Sequence, residues 1–215
     1  MTLTQKAERI YPRLEHRADA VIHALGILFA INASAWLLFH VTGLPVAVSV
    51  SVYCAGLLAM IGFSAAYNLM PQHRPSKQVL RRLDHAAIFI MIAGTYTPLA
   101  INRVGGFWGD FVLAAMWFCA AFGVMMKLLF PRRFEAASVA LYVAMGWMGV
   151  MVIKPLALSV AAADLWLLLA GGLIYSAGVA FYLIERIPYH KAIWHGFVLT
   201  AAVLQFVAIA GEFVS

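Results

Sequence analysis

The stretch LDHAAIFIMIAGTYTP, residues 83–98, places an acid and a histidine, Asp84 and His85, directly before an apolar segment. From His85 to Asn102 the chain carries no charged side chain other than that of His85 itself. A run of this length can cross the hydrocarbon core of a membrane as a helix. Ionisable side chains at membrane depth are costly, so they usually face the interior of a bundle or the interface. The stretch therefore predicts a spanning helix whose first turn contributes to a polar site.

The composition of the rest of the chain agrees with this prediction. Of the 215 residues, 64% are hydrophobic and only 11% are charged, and the mean hydropathy is +0.90. A soluble globular protein carries about 25% charged residues, so the chain is predicted to be an integral membrane protein. The two cysteines, Cys54 and Cys119, lie in apolar runs and predict no disulfide framework. Sequence motifs of the common soluble enzymes are absent.

The gaps between charged residues predict seven spanning helices. Between Asp19 and Arg74 there is no Asp, Glu, Lys or Arg, and the turn signal TGLP at 42–45 divides this gap into two helices. Five further gaps each fit one helix. The predicted spans are 19–41, 46–70, 84–102, 107–129, 135–154, 163–185 and 191–213. Residues 1–215 are thus predicted to form one all-α domain, a seven-helix membrane bundle, with residues 1–18 as a cytoplasmic N-terminal arm.

The basic residues predict how the bundle is oriented. Of the fifteen lysines and arginines, thirteen fall before helix 1 or in the loops after helices 2, 4 and 6, and only Arg103 and Lys154 fall on the other side. Because basic residues collect on the cytoplasmic side, the N-terminus is predicted inside and the C-terminus outside. The net charge of +6 is thus interpreted as a topology signal, and no nucleic-acid partner is expected.

With this topology, polar residues of four helices meet at the cytoplasmic end. Spacings of four residues place several of them on one helix face. They are Glu15, Asp19 and His23 on helix 1, Ser64 and Asn68 on helix 2, Asp84 and His85 on helix 3, and His190, Lys191 and His195 on helix 7. Two interpretations stay open. These residues could cap helix ends and bind phosphate headgroups, or they could form a functional cavity, with His and Asp as candidate zinc ligands.

Four motifs resemble those of the bacterial hemolysin III family, which belongs with the progestin and adipoQ receptors. They are the stretch at 83–98, the pattern Glu15-x3-Asp19-x3-His23-x2-Gly26, LYVAMGW at 141–147 and RIPYHKAIWHGFVL at 186–199. The resemblance extends from about residue 15 to residue 211. It implies a seven-helix bundle in the bacterial inner membrane with an intracellular N-terminus.

The resemblance also implies a zinc ion near the cytoplasmic ends of the helices. Family members hold it with one histidine from S-x3-H on helix 2 and two from H-x3-H on helix 7, and an aspartate at the start of helix 3 orients the metal-bound water. This chain has the serine, the aspartate and the second helix 7 histidine, as Ser64, Asp84 and His195. The other two ligand positions hold Asn68 and Lys191.

These replacements predict that the zinc site is lost. Asn is a poor zinc ligand, and an ammonium has no lone pair to donate. We expect the Lys191 ammonium to replace the metal as the counter-charge to Asp84. His190 could restore metal binding, but it lies about 140° around the helix from His195. A further family histidine, in the middle of helix 7, is Gln205 here.

The expected function is that of a receptor or membrane-homeostasis protein, non-catalytic or weakly catalytic, with a lipid-accessible polar cavity and a degenerate metal site. The residues predicted to line the cavity are Glu15, Asp19, His23, Ser64, Asn68, His85, Lys191 and Gln205, with Asp84 as the candidate catalytic group and His195 as a remaining metal ligand. Membrane lipids are the expected partners, and the sequence also allows a homo-oligomer.

The sequence leaves three other functions open. The first alternative is a zinc-dependent lipid amidase of the ceramidase kind, with Asp84 as general base, which would require that a metal be bound. A pore-forming cytolysin ranks lower, because the helices are apolar all round and show no polar stripe wide enough for a channel. A transporter is disfavoured because no ionisable residue lies near the predicted membrane midplane.

Overall fold

The computed structural model describes residues 13–130 and 132–214, and within them every regular element is a helix. The elements are α1 (Arg13–His40), α2 (Leu44–Leu69), α3 (Ser76–Leu99) with a π-helical turn (Ala100–Val104), α4 (Gly106–Leu129), α5 (Glu135–Gly146), a 3₁₀ turn (Met148–Val152), α6 (Ile153–Ser159), α7 (Ala162–Leu183) and α8 (His190–Phe213). Since α5, the 3₁₀ turn and α6 follow one another as one span, seven segments are long and apolar enough to cross a membrane. The predicted fold class is confirmed.

Three of the spans extend five or more residues beyond their predicted bounds. The first begins at Arg13 rather than at residue 19, the third at Ser76 rather than at residue 84, and the fifth span ends at Ser159 rather than at residue 154. The predicted arm at 1–18 is therefore partly helical, and residues 1–12 lie outside the described part. Charged residues mark the edges of the hydrocarbon core, whereas a helix can continue through the headgroup region, which adds about 5–8 Å on each side.

The helix α3 lies at the centre of the bundle. One apolar cluster joins it to α1, α2 and α8, and a second joins it to α4 and α5. Gly56 and Gly94 let α2 and α3 approach closely, because a Cβ on Gly56 would lie only 3.2 Å from the Cα of Met91, and one on Gly94 only 3.3 Å from the carbonyl oxygen of Val52. Small residues at such contacts are how membrane helices pack without a hydrophobic driving force between them.

The fifth span is interrupted at Gly146. The hydroxyl of Tyr96, on α3, donates to the carbonyl oxygen of Gly146 at 2.8 Å and accepts from the backbone N–H of Gly149 at 2.8 Å. Irregular backbone at membrane depth is tolerated only where its polar groups are satisfied within the protein or by a cavity. One tyrosine from the central helix therefore supplies the hydrogen bonds that the break removes.

The helix α7 leaves a space on one side of the bundle. It packs mainly against α8 and makes few contacts with α5 and α6. Among its residues only Gly171 and Gly178 are buried, and both touch side chains of α8: a Cβ on Gly171 would lie 2.9 Å from Gln205, and one on Gly178 would lie 2.8 Å from Phe197. Because α7 lies against α8 rather than α5, a cavity remains between α3, α5, α7 and α8.

The two ends of the bundle differ in charge. The end at which α1 begins also carries the links that follow α2, α4 and α7, and we call it the basic end. At the opposite end Arg103 pairs with Glu212, with 2.6 Å between Nε and Oε2, and Glu212 accepts from the backbone N–H of Ala161 at 2.6 Å. The ion pair joins the third span to the end of α8, and the hydrogen bond from Ala161 adds the start of α7. Which side of the membrane the basic end faces stays a prediction.

Candidate functional site

A stripe of three polar side chains on α1 is buried at the basic end. Glu15, Asp19 and His23 are exposed by only 5%, 2% and 4%. Their spacing of four residues places them one above the other on a single helix face, and α8 packs against α1. Residues that bind phosphate headgroups at the interface would be exposed. The burial of these three side chains therefore favours a role inside the bundle.

Asp19 joins two histidines from different helices. Its Oδ1 lies 2.6 Å from Nδ1 of His195 on α8, and its Oδ2 lies 3.7 Å from Nε2 of His23. The two imidazole rings are 4.5 Å apart between centroids and inclined at 53°. The second distance is too long for a hydrogen bond, and Nε2 of His23 is a buried polar atom without a hydrogen-bond partner among the described residues.

A cavity of about 590 Å³ begins at these histidines and continues between the helices. Its charged residues and histidines gather at the basic end, whereas the rest of its wall is uncharged and mostly apolar, with a few polar side chains such as Thr95, Tyr175 and Gln205. Of the residues predicted for the site, those on its wall are His23, Ser64, Asn68, Asp84, His85, Lys191, His195 and Gln205. Glu15 and Asp19, also predicted to line it, are not on its wall, and Asp19 lies behind the two histidines that are.

Asp84 and His85 occupy the α3 side of the cavity. Nδ1 of His85 lies 3.7 Å from Oδ2 of Asp84 and 2.7 Å from the carbonyl oxygen of Arg81, one turn earlier. The hydroxyl of Ser64 on α2 is also next to the Asp84 carboxylate. Asp84 thus faces the cavity among polar neighbours from α2 and α3.

Lys191 borders the same cavity as Asp84. Its side chain is exposed at the first turn of α8. The long aliphatic stem of a lysine at a helix start lets the ammonium reach the aqueous boundary. The counter-charge role of Lys191 toward Asp84 stays a prediction. The α8 side chain that lies against a carboxylate of the described site is His195, next to Asp19 on α1.

The positions at which the family binds zinc do not fit a metal in this chain. The amide nitrogen of Asn68 donates to the carbonyl oxygen of Ser64 at 2.9 Å, so the side chain is turned back onto its own helix, and the Lys191 ammonium cannot be a ligand. His190 begins α8, five residues before His195 and on a different face. A different set, Asp19, His23 and His195, does come together, with one candidate ligand atom from each residue within 4.8 Å of the others.

Several residues near the cavity were not among those that the sequence predicts for the site. Lys127 is buried to 3% exposure and pairs with Glu135 at 2.7 Å, and Glu135 also pairs with Arg81 at 3.0 Å. On the other side of the cavity, Trp147 donates to the hydroxyl of Ser176 at 3.1 Å and so connects the break after α5 with α7. A lysine directly after a long apolar run is a weak signal of burial, because most such lysines extend into water.

Comparison with known proteins identifies the family. Residues 14–206 match the family described as haemolysin-III related. The chain is 34% identical over 198 residues to a hemolysin-3 homolog of Bacillus subtilis, covering 91% of this chain and 92% of the relative. It is 35% identical over 211 residues to hemolysin-3 of Bacillus cereus, covering 96% of each chain.

A more distant human relative shows the wider group. The monocyte to macrophage differentiation factor of Homo sapiens is 29% identical over 203 residues, covering 91% of this chain and 83% of the relative. Together with the seven apolar helices, these matches confirm the resemblance inferred from the motifs and a multi-pass membrane location. The chain belongs to the haemolysin-III related family of membrane proteins.

Proposed function

We propose that this protein binds a membrane lipid in the cavity between α3, α5, α7 and α8, and acts as a non-catalytic receptor or membrane-homeostasis protein. The lipid headgroup lies at the polar end, near Asp84, His23 and His195, and an acyl chain extends along the apolar part. The observation that carries the proposal is this division of one cavity into a charged, histidine-containing end and an uncharged, mostly apolar remainder.

The dimensions of the cavity suit such a ligand. A volume of about 590 Å³ lies within the range of roughly 300–1,000 Å³ that is typical of small-molecule sites. His195 and Gln205 both line it, and at about 1.5 Å per residue they are about 15 Å apart along α8. The cavity therefore reaches from the headgroup level well into the hydrocarbon region.

The proposed route of entry is lateral, between α5 and α7. These two helices make few contacts, and the side chains that bridge them include Trp147 and Ser176, which are joined by one hydrogen bond. A lipid entering from the bilayer would need only local displacement of Trp147, because no extensive apolar interface closes this side.

Filling the cavity tests lipid binding. Gly172 lines the cavity, and a Cβ there would meet no atom within 4 Å, so Gly172→Phe should fill space without disturbing helix packing. Gly62, on the exposed face of α2, is equally open and does not line the cavity, so Gly62→Phe is the matched control. Native mass spectrometry of the purified proteins should show one bound lipid for the unmodified chain and Gly62→Phe, and none for Gly172→Phe. Equal lipid retention in all three would refute the proposal.

Lipid amide hydrolysis is the second candidate, and one observation favours it. Asp84 faces the same cavity end as His23 and His195, which gives three side chains able to move protons beside the proposed headgroup position. Incubation of the purified protein with N-acyl lipids, with and without a chelator, tests this function. Release of free fatty acid that is abolished in Asp84→Asn would establish an enzyme.

A further inference from the structure

We infer that Asp19, His23 and His195 form a metal site for a divalent transition-metal ion such as Zn²⁺, displaced from the family's ligand positions onto α1. Two of its three donors come from α1, and one comes from α8. The inference concerns metal binding only, so it goes beyond the proposed lipid function and does not depend on it.

The donor set and its geometry fit a metal. Zinc commonly takes three protein ligands from His, Asp, Glu and Cys, plus a water. With ligand bonds of about 2.0–2.2 Å, the donors of a tetrahedral site are roughly 3.3 Å apart. Here the separations include 2.6 Å between Asp19 and His195 and 3.7 Å between Asp19 and His23, and the three ligand atoms lie within 4.8 Å of one another. Small rotations of the side chains would equalise these distances.

A second observation supports the metal site: Nε2 of His23 is buried and has no hydrogen-bond partner among the described residues. Buried polar atoms almost always have a hydrogen-bond partner, yet Nε2 of His23 has none in the described part of the chain, although the residue is only 4% exposed. This nitrogen is directed toward the carboxylate of Asp19 at a distance too long for a hydrogen bond. A metal between the two groups would give the nitrogen a partner.

The simpler interpretation is a hydrogen bond that joins two helices. The contact between Asp19 and His195 alone would serve that purpose, but it leaves His23 unexplained. In the metal-free form Nδ1 of a neutral His195 donates its proton to the Asp19 carboxylate. For a metal to bind Nδ1 this proton must move to Nε2, which leaves the imidazole neutral. The carboxylate and two neutral imidazoles would together carry one negative charge, which suits a divalent cation. His23 and His195 border the cavity, so water can reach the ion as a fourth ligand.

Metal titration of the full-length protein in detergent tests the site. After removal of metals with a chelator, Zn²⁺ should bind at one ion per chain and raise the unfolding temperature. His23→Gln and Asp19→Asn should each weaken binding at least a hundredfold. His85→Gln is the matched control, because His85 lines the same cavity but its Nδ1 contacts the carbonyl oxygen of Arg81, and it should leave the affinity unchanged.

A ligand exchange keeps the test valid if those variants fold poorly. His23→Cys replaces one donor by another, so it should still bind Co²⁺, and its absorption spectrum should gain a thiolate-to-cobalt charge-transfer band that the unmodified protein lacks. Failure of the unmodified protein to bind Zn²⁺ or Co²⁺ would overturn the inference. So would a folded His23→Cys protein whose cobalt spectrum is unchanged, or a His23→Gln protein that binds zinc normally.

Discussion

Asn68 occupies a position at which the family carries a zinc-binding histidine, and its amide is hydrogen-bonded to the backbone of its own helix. The contact with the carbonyl oxygen of Ser64 is 2.9 Å, and a longer one with the Ser64 hydroxyl is 3.4 Å. The other altered position holds Lys191, whose side chain is exposed. Two of the three positions at which the resemblance implies a zinc-binding histidine therefore hold other residues, and the third holds His195.

Restoring the two histidines should move the metal to the family's position. We expect that Asn68→His together with Lys191→His creates a three-histidine set with His195. Zinc binding should then no longer require His23. The measurement is the zinc content of purified protein carrying these two changes plus His23→Gln, compared with His23→Gln alone. Zinc absent from both would show that the restored set does not form, and zinc present in both would show that His23 is not a ligand.

The sequence could predict which residues gather at the site, but not how they pair. The four-residue spacing of Glu15, Asp19 and His23 identifies a polar face of α1, and the topology brings that face to the same end as Asp84 and His195. The pairing of Asp19 with His195 depends on which faces of α1 and α8 meet, and a single sequence does not contain that information. The position of the Lys191 ammonium is equally hard to predict from the sequence, because a long flexible side chain can reach either the cavity or water.

Among the helices, one cluster of ion pairs connects α3, α4 and α5 near the basic end. Glu135, the first residue of α5, accepts from Lys127 on α4 and from Arg81 on α3. Glu135→Gln would leave the buried Lys127 ammonium without a charged partner. Removing one member of a fully buried pair costs about 3–5 kcal/mol, and since a third of the Glu135 side chain is exposed, we expect roughly 2 kcal/mol.

The unfolding temperature in detergent measures this loss. Lys127→Met combined with Glu135→Gln should recover more than half of it, because the uncompensated charge is then absent. Asp110→Asn, at an exposed residue of α4, is the control and should be neutral. An unchanged unfolding temperature for Glu135→Gln would contradict the account of this cluster.

The break in the fifth span gives a second prediction for an element. Tyr96→Phe removes the hydroxyl that bonds to both Gly146 and Gly149, which leaves two backbone groups unsatisfied. An unsatisfied buried polar group costs about 1–3 kcal/mol, so the variant should unfold at a lower temperature. Tyr175→Phe is the control, because the Tyr175 hydroxyl has no hydrogen-bond partner within the described chain. Equal stability of the two variants would contradict the proposed role of Tyr96.

This break could not be predicted from the sequence. Hydropathy across residues 135–159 is continuous, and glycines such as Gly146 and Gly149 are equally typical of close packing between unbroken membrane helices. What permits the interruption is a hydroxyl from α3, which is separated from Gly146 by fifty positions. Local propensity gives the length of a span, whereas the hydrogen bonds that allow its interruption come from elsewhere in the fold.

At the scale of the whole molecule, the number of spans and their apolar character could be predicted, because charge gaps and hydropathy directly report the hydrocarbon core. The ends of the helices could not. The helix α3 begins eight residues before the predicted start at residue 84, and its first two turns carry Lys77, Arg81 and Arg82. These charges belong to a helix that extends into the headgroup region, where hydropathy no longer distinguishes helix from loop.

Topology is the prediction that belongs to the whole molecule. Seven spans place the two termini on opposite sides, and the thirteen basic residues at one end, of fifteen in all, predict that this end is cytoplasmic. Reporter fusions should show an N-terminus inside the cell and a C-terminus outside. Both reporters on one side would mean that the number of spans is wrong, and an exchanged pair would mean that the charge rule fails here.

The most direct test of the central claim is to map where a lipid contacts the protein inside the membrane. A phospholipid with a photoactivatable acyl chain, incorporated into membranes that contain the protein, labels whatever its chain touches. Residues such as Phe118, which is 75% exposed, face the bilayer and should be labelled in every case. Lipid bound in the cavity should add labelling of α3 residues on the cavity wall, such as Ile92 and Thr95, and Gly172→Phe, which fills the cavity, should lose that labelling. Labelling confined to outward faces such as that of Phe118 would contradict the account.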